Sequence, residues 1–268
     1  MRHFGTLVQA RWDEGKFLCV GLDPDLEKVP EKFKTGSVSE ILLAFNKYIV
    51  AETRDVAAAY KPNCGFYEAH GEDGWRALRE TITYVQETAP GIPVILDAKR
   101  GDLENTNRGY AQGIFEALGA DALTVNPYMG GEALAPFLER ADKGIIVLCR
   151  NSNPGAKEFQ DATVGDVPLY LHVARHVNEW NSNKNCWLVV GSTYPEEMKK
   201  VRELVPKLPF LVPGVGAQGG DLEASVKAAR DAQGHGFIIS TSRAIMYAES
   251  PRAEAQKMHS AIQKALLE

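Results

Sequence analysis

The four cysteines of this 268-residue chain, Cys19, Cys64, Cys149 and Cys186, lie far apart and form no CxxC pair. That spacing argues against a disulfide-stapled scaffold and against a thiolate metal centre. Three of the four sit in apolar, strand-like runs, as buried thiols of a reducing compartment do. No apolar stretch approaches the roughly 18 residues that a membrane span needs, and the opening MRHFGTLVQARWDEGKF lacks the apolar core of a secretion signal. The chain is therefore expected in the cytoplasm, with no membrane association. Thirty Lys and Arg against thirty-five Asp and Glu give a net charge of -5, and the basic residues are scattered. Such a chain has no long-range pull on nucleic acid, so any anionic ligand has to be held by a local site. The six histidines show no metal-ligand spacing. No low-complexity stretch or Pro/Gly/Ser linker divides the sequence, and one domain over residues 1–268 is expected.

What is present is an alternation. Eight short apolar runs recur, each followed by a polar turn: FLCVGLD from Phe17, VAAAYKPN from Val56, PVILDAKR from Pro93, DALTVNP from Asp121, GIIVLCR from Gly144, CWLVVGS from Cys186, PFLVPG from Pro209 and GFIISTS from Gly236. Between them lie segments of helical spacing, such as SEILLAFNKYIVAE, WRALRETITYVQE, NRGYAQGIFEALG, LYLHVARHVNEWN, PEEMKKVREL and DLEASVKAARDA. Strand and helix in turn predict a parallel sheet, and eight repeats predict an α/β fold of the (β/α)8 TIM-barrel kind. The segment ahead of the first run is expected to cap the barrel floor. A barrel gathers its chemistry at the C-terminal ends of its strands. Asp23 follows the first run, Lys61 ends the second, Asp97 and Lys99 end the third, Ser152 follows the fifth, Gly214 to Gln218 follow the seventh and Arg243 the eighth.

In LDAKRGD, alternation along a strand puts Ile95, Asp97 and Lys99 on one face and Leu96 and Ala98 on the other. Charges pointing into a barrel are paired or functional. A buried ion pair bracing the barrel mouth is the structural alternative. Against it, Lys61 lies at a matching height on the neighbouring strand, and Asp102 follows Lys99 after one Arg-Gly turn. Two lysines and two carboxylates alternating in space keep all four ionised. That array suits a reaction in which a substrate carboxylate leaves and a proton replaces it: Asp97 presses on the carboxylate, and Lys99 stabilises the developing carbanion and protonates it. Two like charges near 4 Å repel by on the order of 4 kcal/mol at an effective dielectric of 20, which is worth about a thousandfold in rate. Lys99 has to carry more of the effect than Asp97.

The seventh run opens into PGVGAQGGD, Pro213 to Asp221, and the eighth into STSRA, Ser240 to Ala244. Gly-rich backbone amides, a helix start and the forked donor of Arg243 make an anion site, and in barrels these two loops are the common phosphate site. Ordinary turn chemistry explains the glycines alone. Without GKS or GKT the loop is no Walker A, and a monophosphate is the expected ligand.

LDAKRGD with Thr106 four residues past Asp102, VGLDPD at Val20, YKPN at Tyr60, SNPGA at Ser152, PGVGAQGGD and the final SRA together resemble the orotidine 5′-monophosphate decarboxylase family, and VNPYMGG at Val125 resembles its bacterial-type branch. The resemblance runs from about Val20 to Tyr247 in the family's order. It implies conversion of orotidine 5′-monophosphate to uridine 5′-monophosphate in pyrimidine biosynthesis, without metal or cofactor. It implies Lys61, Asp97, Lys99 and Asp102 as the charged network with Lys99 as proton donor, Asp23 on the ribose hydroxyls, Ser152 on the pyrimidine, and Gln218 and Arg243 on the phosphate. Pro213, Gly214 and Ser242 join these as substrate-binding residues. It further implies a homodimer in which Asp102 and Thr106 reach the partner's site. The stretch SNPGAKEFQDATVGD and the loop after PGVGAQ are the segments expected to close over the ligand. Leu103 and Glu104 depart from the family's pattern of Ile and a small residue. A metal-dependent sugar-phosphate enzyme of the same superfamily shares the Asp, Lys, Asp run but carries an acidic metal ligand where Lys61 stands, and a lysine there repels a divalent cation.

Overall fold

The computed structural model describes residues 2–215 and 220–268. Each of the eight apolar runs forms a strand: β1 (Leu18–Leu22), β2 (Ala57–Pro62), β3 (Ile95–Arg100), β4 (Ala122–Val125), β5 (Gly144–Arg150), β6 (Cys186–Val190), β7 (Phe210–Pro213) and β8 (Phe237–Thr241). Every residue of β1, β2, β4, β6 and β8 is buried. A parallel sheet covered on both faces demands this, which is why the strands read as unbroken apolar runs. All neighbours pair in parallel, in the order β2, β1, β8, β7, β6, β5, β4, β3. The two ends of that order meet through the isolated bridges Tyr60↔Val94 and Asn63↔Asp97. The Tyr60 N–H donates to Pro93 O at 3.0 Å and the Cys64 N–H to Asp97 O at 3.1 Å. The expected (β/α)8 barrel is formed, with its thinnest join between β2 and β3.

Helices occupy the amphipathic segments, and the first long one, Val38–Thr53, starts on a capping box between Ser37 and Glu40. The segment from Asn107 to Ala117 belongs to an α-helix, Glu104–Ala111, that runs on as a π-helical turn, Gln112–Ala117, and the chain leaves it at Leu118 and Gly119. A helix at Gly130–Leu138 was not expected, because its two leading glycines and internal Pro136 disguise it. Within the stretch after Ser152, Thr163–Val164 and Val167–Pro168 pair as a small antiparallel ribbon rather than a bare loop.

The floor is where the sequence placed it. Helix Phe4–Asp13 lies under the N-terminal strand ends. The Phe4 ring stands edge-on to Trp187 at 5.2 Å, Trp12 stacks on Trp187 at 5.6 Å, and the Trp12 indole N–H donates to Phe237 O at 2.9 Å. Among the described residues no helix is long and apolar enough to cross a membrane. Phe4 is 1% exposed, so Phe4→Ala is expected to lower the unfolding free energy by about 3–5 kcal/mol, measured by urea titration. A loss below about 1 kcal/mol would show that the floor does not depend on this ring.

Candidate active site

Asp97, at the C-terminal end of β3, is the hub. Its Oδ1 accepts from Lys99 Nζ at 2.6 Å and from the Thr124 hydroxyl at 2.9 Å. Its Oδ2 accepts from Lys61 Nζ at 3.1 Å and from Asn63 Nδ2 at 3.4 Å. Burial pushes the Asp97 carboxyl upward, but Lys61 and Lys99 outweigh it and hold the group well below the usual carboxylate range. Burial likewise pulls the Lys61 ammonium down, and the charges of Asp97 and Asp23 outweigh it and hold it above the usual lysine value. Both partners therefore stay ionised at neutral pH. The Cys19 thiol, pushed up to about 12 by burial, is a neutral neighbour of this pair.

The charges brought together within one chain are Asp23, Lys61, Asp97 and Lys99, with Asp23 the member that the sequence did not place beside Lys61. Asp102 stands apart: its carboxylate accepts from the Leu103 N–H at 2.7 Å, and its own N–H donates to Asn107 Oδ1 at 3.1 Å. Thr106 is also outside the cluster, its N–H bonded to Asn105 Oδ1 at 2.9 Å. Lys99 is brought in, but not by strand alternation. The pairing of β3 with β4 shifts between Leu96 and Arg100, and Lys99 has φ +48°. A non-glycine residue in that left-handed region costs on the order of 1–2 kcal/mol. The Lys99 side chain is 48% exposed against 8% for Lys61, so it faces the barrel mouth.

Two cavities adjoin over these groups. One of about 250 Å³ is lined by Lys61, Asp97, Lys99, Thr124 and Ser152, and the other, of about 290 Å³, by Asp23, Gly214, Ser242 and Arg243. They share Lys61 and Pro213, so the lysine end and the anion rim form one cleft. Close backbone approach makes the rim possible. A Cβ on Gly21 would stand 2.5 Å from Ser242 Cβ, and one on Gly191 would stand 2.8 Å from Ser152 Cα. The Asp23 carboxylate, which accepts from the Asn63 N–H at 3.1 Å, sits between the two ends. Gln218 lies outside the described residues.

The segment carrying Ser152 is tied down from below. Arg150 is fully buried, stacks over the Tyr194 ring at 3.9 Å, pairs with Asp161 at 3.1 Å and reaches Gln160 at 3.3 Å. Gln160 Oε1 also accepts from the Asn151 N–H at 2.8 Å. Sequence reasoning passed over Arg150, Asn63 and Thr124. A charge closing GIIVLCR, a polar residue two past Lys61 and a hydroxyl inside DALTVNP were the available signals. A cleft with an arginine rim at one end and a saturated Lys-Asp-Lys cluster at the other is equipped to hold an anionic ligand and to move a proton beside a carboxylate.

The model of the orotidine 5′-phosphate decarboxylase / HUMPS family matches residues 16–258. The chain belongs to this family. Among curated relatives, the orotidine 5′-phosphate decarboxylase of Cellvibrio japonicus is 51% identical over 251 residues, covering 93% of this chain and 91% of that one. The structure of Leishmania donovani OMP decarboxylase is 40% identical with a TM-score of 0.89, and 99% of each chain is covered. Leishmania donovani UMP synthase is 42% identical with a TM-score of 0.91, and there the match covers 99% of this chain but spans only 57% of the longer one. In this member of the orotidine 5′-phosphate decarboxylase / HUMPS family, the matched span includes all eight barrel strands and Arg243.

The depressed titration of Asp97 has a consequence for stability. A carboxyl that titrates lower in the folded chain stabilises fully above its unfolded value, about pH 4, and that contribution is lost as pH falls toward the folded value. Asp97→Asn is therefore expected to flatten the acid-side fall of the urea-unfolding free energy between about pH 4 and 2. Parallel acid limbs in variant and wild type would show that the two lysines do not hold the carboxylate.

Proposed function

We propose that this chain decarboxylates orotidine 5′-monophosphate to uridine 5′-monophosphate in pyrimidine nucleotide synthesis, with Lys99 as the proton donor and no metal or cofactor taking part. The observation that carries this reading is the Lys99 ammonium 2.6 Å from a carboxylate that Lys61 also holds, in a cavity that runs on to Arg243. Arg243, Ser242 and Gly214 bind the phosphate, with Gln218 added by resemblance, while Asp23 binds the ribose hydroxyls and Ser152 the pyrimidine. Pro213 lines the wall between the two ends. This seats the substrate carboxylate against Asp97. The bond from the ring carbon to that carboxylate breaks, carbon dioxide leaves, the electron pair stays on the ring carbon, and Lys99 delivers a proton to it. Lys61 keeps Asp97 charged throughout, and the phosphate contacts supply binding energy that is used at the remote reacting carbon.

Lys99→Ala is expected to bind uridine 5′-monophosphate within about threefold of wild type, read by calorimetry, and to lose at least about a hundredfold in turnover. Turnover is read from the ultraviolet change of orotidine 5′-monophosphate. A variant that decarboxylates at near the wild-type rate would sink the proton-donor role.

The reading extends to a cytoplasmic homodimer of single-barrel subunits, in which each chain lends Asp102 and Thr106 to its partner's site. Asp102 makes no ion pair within its own chain among the described residues, and large apolar side chains stand bare nearby: Leu103 is 59% exposed, Tyr128 90% and Phe159 72%. An apolar hollow of about 450 Å³ at Tyr128 adjoins the site through Asn151, and a second of about 540 Å³ shares Tyr128 with the first. The four unpaired, buried thiols suit the reducing cytoplasm. Mixing inactive Lys99→Ala with inactive Asp102→Ala chains and allowing exchange is expected to restore about a quarter of the wild-type sites, because each mixed dimer rebuilds one. No recovery, with exchange verified by mass, would place Asp102 in its own chain's site or outside catalysis.

A further inference from the structure

The ladder between β3 and β4 is uneven. Leu96 pairs with Leu123 and Arg100 with Val125, so Asp97, Ala98 and Lys99 stand opposite Thr124 alone. Thr124 is 1% exposed, and its hydroxyl works in both directions. It accepts from the Lys99 backbone N–H at 2.9 Å and donates to Asp97 Oδ1 at 2.9 Å. A bulge leaves ladder groups without partners and re-aims a side chain. Here one hydroxyl takes the place of the missing ladder partner and, through the same atom, ties the left-handed backbone of Lys99 (φ +48°) to the carboxylate that its ammonium meets.

We infer that Thr124 is a positioning residue for the decarboxylation, its hydroxyl fixing where the Lys99 ammonium stands relative to Asp97 and to the reacting carbon. The inference rests on the reading of Lys99 as proton donor. Valine fits the same space and supplies neither donor nor acceptor, whereas serine keeps both.

Thr124→Val is expected to lose about 10- to 100-fold in kcat with KM for orotidine 5′-monophosphate within about threefold, because the anion rim is untouched. Thr124→Ser is expected to keep kcat within about threefold of wild type. Full kcat in Thr124→Val, an equal loss in Thr124→Ser, or a loss confined to KM each overturns the proposal. Should the valine chain not fold, Thr124→Ala is read by the same criteria. Lys99→Ala measured alongside separates the two levels. Turnover by that variant overturns the proton-donor reading and this proposal with it. A dead Lys99→Ala beside a fully active Thr124→Val overturns this proposal alone.

Discussion

The structure is organised around the need to keep one carboxylate charged inside a barrel. Stripping water from such an ion costs several kcal/mol, and the cost is tolerable only where every lone pair is met. Asp97 is met four times, by Lys61 from β2, Asn63 from the turn behind it, Lys99 from its own strand and Thr124 from β4. Much else follows from that demand. Lys61 is admitted to a position 6% exposed because Asp97 and Asp23 flank it, and Lys99 leaves the pleat of β3 to come back onto the same oxygen that Thr124 serves. The groups that satisfy the resting charge are also the groups that line the cavity, so the electrostatic field is in place before any ligand arrives.

At the other end, the architecture works by close approach rather than by charge density. Gly21 and Gly191 let the Ser242 and Ser152 turns settle against neighbouring strands at distances no side chain would permit. Beneath Ser152, the flat guanidinium of Arg150 is sandwiched with Tyr194 and hydrogen-bonded to Gln160, which in turn holds the Asn151 amide. Ser152 is thereby carried on a segment whose base is fixed, although its tip is exposed. Lys61 and Pro213 belong to the walls of both cavities, so a ligand held at the rim is measured out along a rigid strand end to the lysine cluster.

Most of the frame was legible in the residues. β-Branched runs and amphipathic spacing gave all eight strands and most of the helices between them, and the position of charges just after strands located Asp23, Lys61, Asp97 and Arg243 on one rim. What escaped has physical causes. A period of two says nothing about a bulge, so the backbone turn at Lys99 could not be read from LDAKRGD. Spacing along the chain says nothing about direction, and within its own chain the Asp102 carboxylate accepts from the next amide, Leu103, rather than meeting Lys99. Asn63 and Thr124 were single polar residues in otherwise ordinary contexts, and only the third dimension shows that both point at Asp97. Glycines and Pro136 concealed the helix at Gly130–Leu138, where tertiary packing outweighs poor intrinsic propensity.

The join between β2 and β3 gives the barrel a temporal property as well as a spatial one. Seven of the eight strand boundaries are paired ladders, three of them with a register shift, while this one is held by two bridges together with the side-chain bonds that Lys61 and Asn63 send across to Asp97. Lys61 and Asp97 thus serve as clasp and as cavity wall. A nascent or refolding chain whose strands have formed but whose ring is still open has Lys61 and Asp97 on opposite lips of a gap, with the cleft floor incomplete. The cleft of such a chain is complete only once this join has closed, after the strands on either side of it have formed.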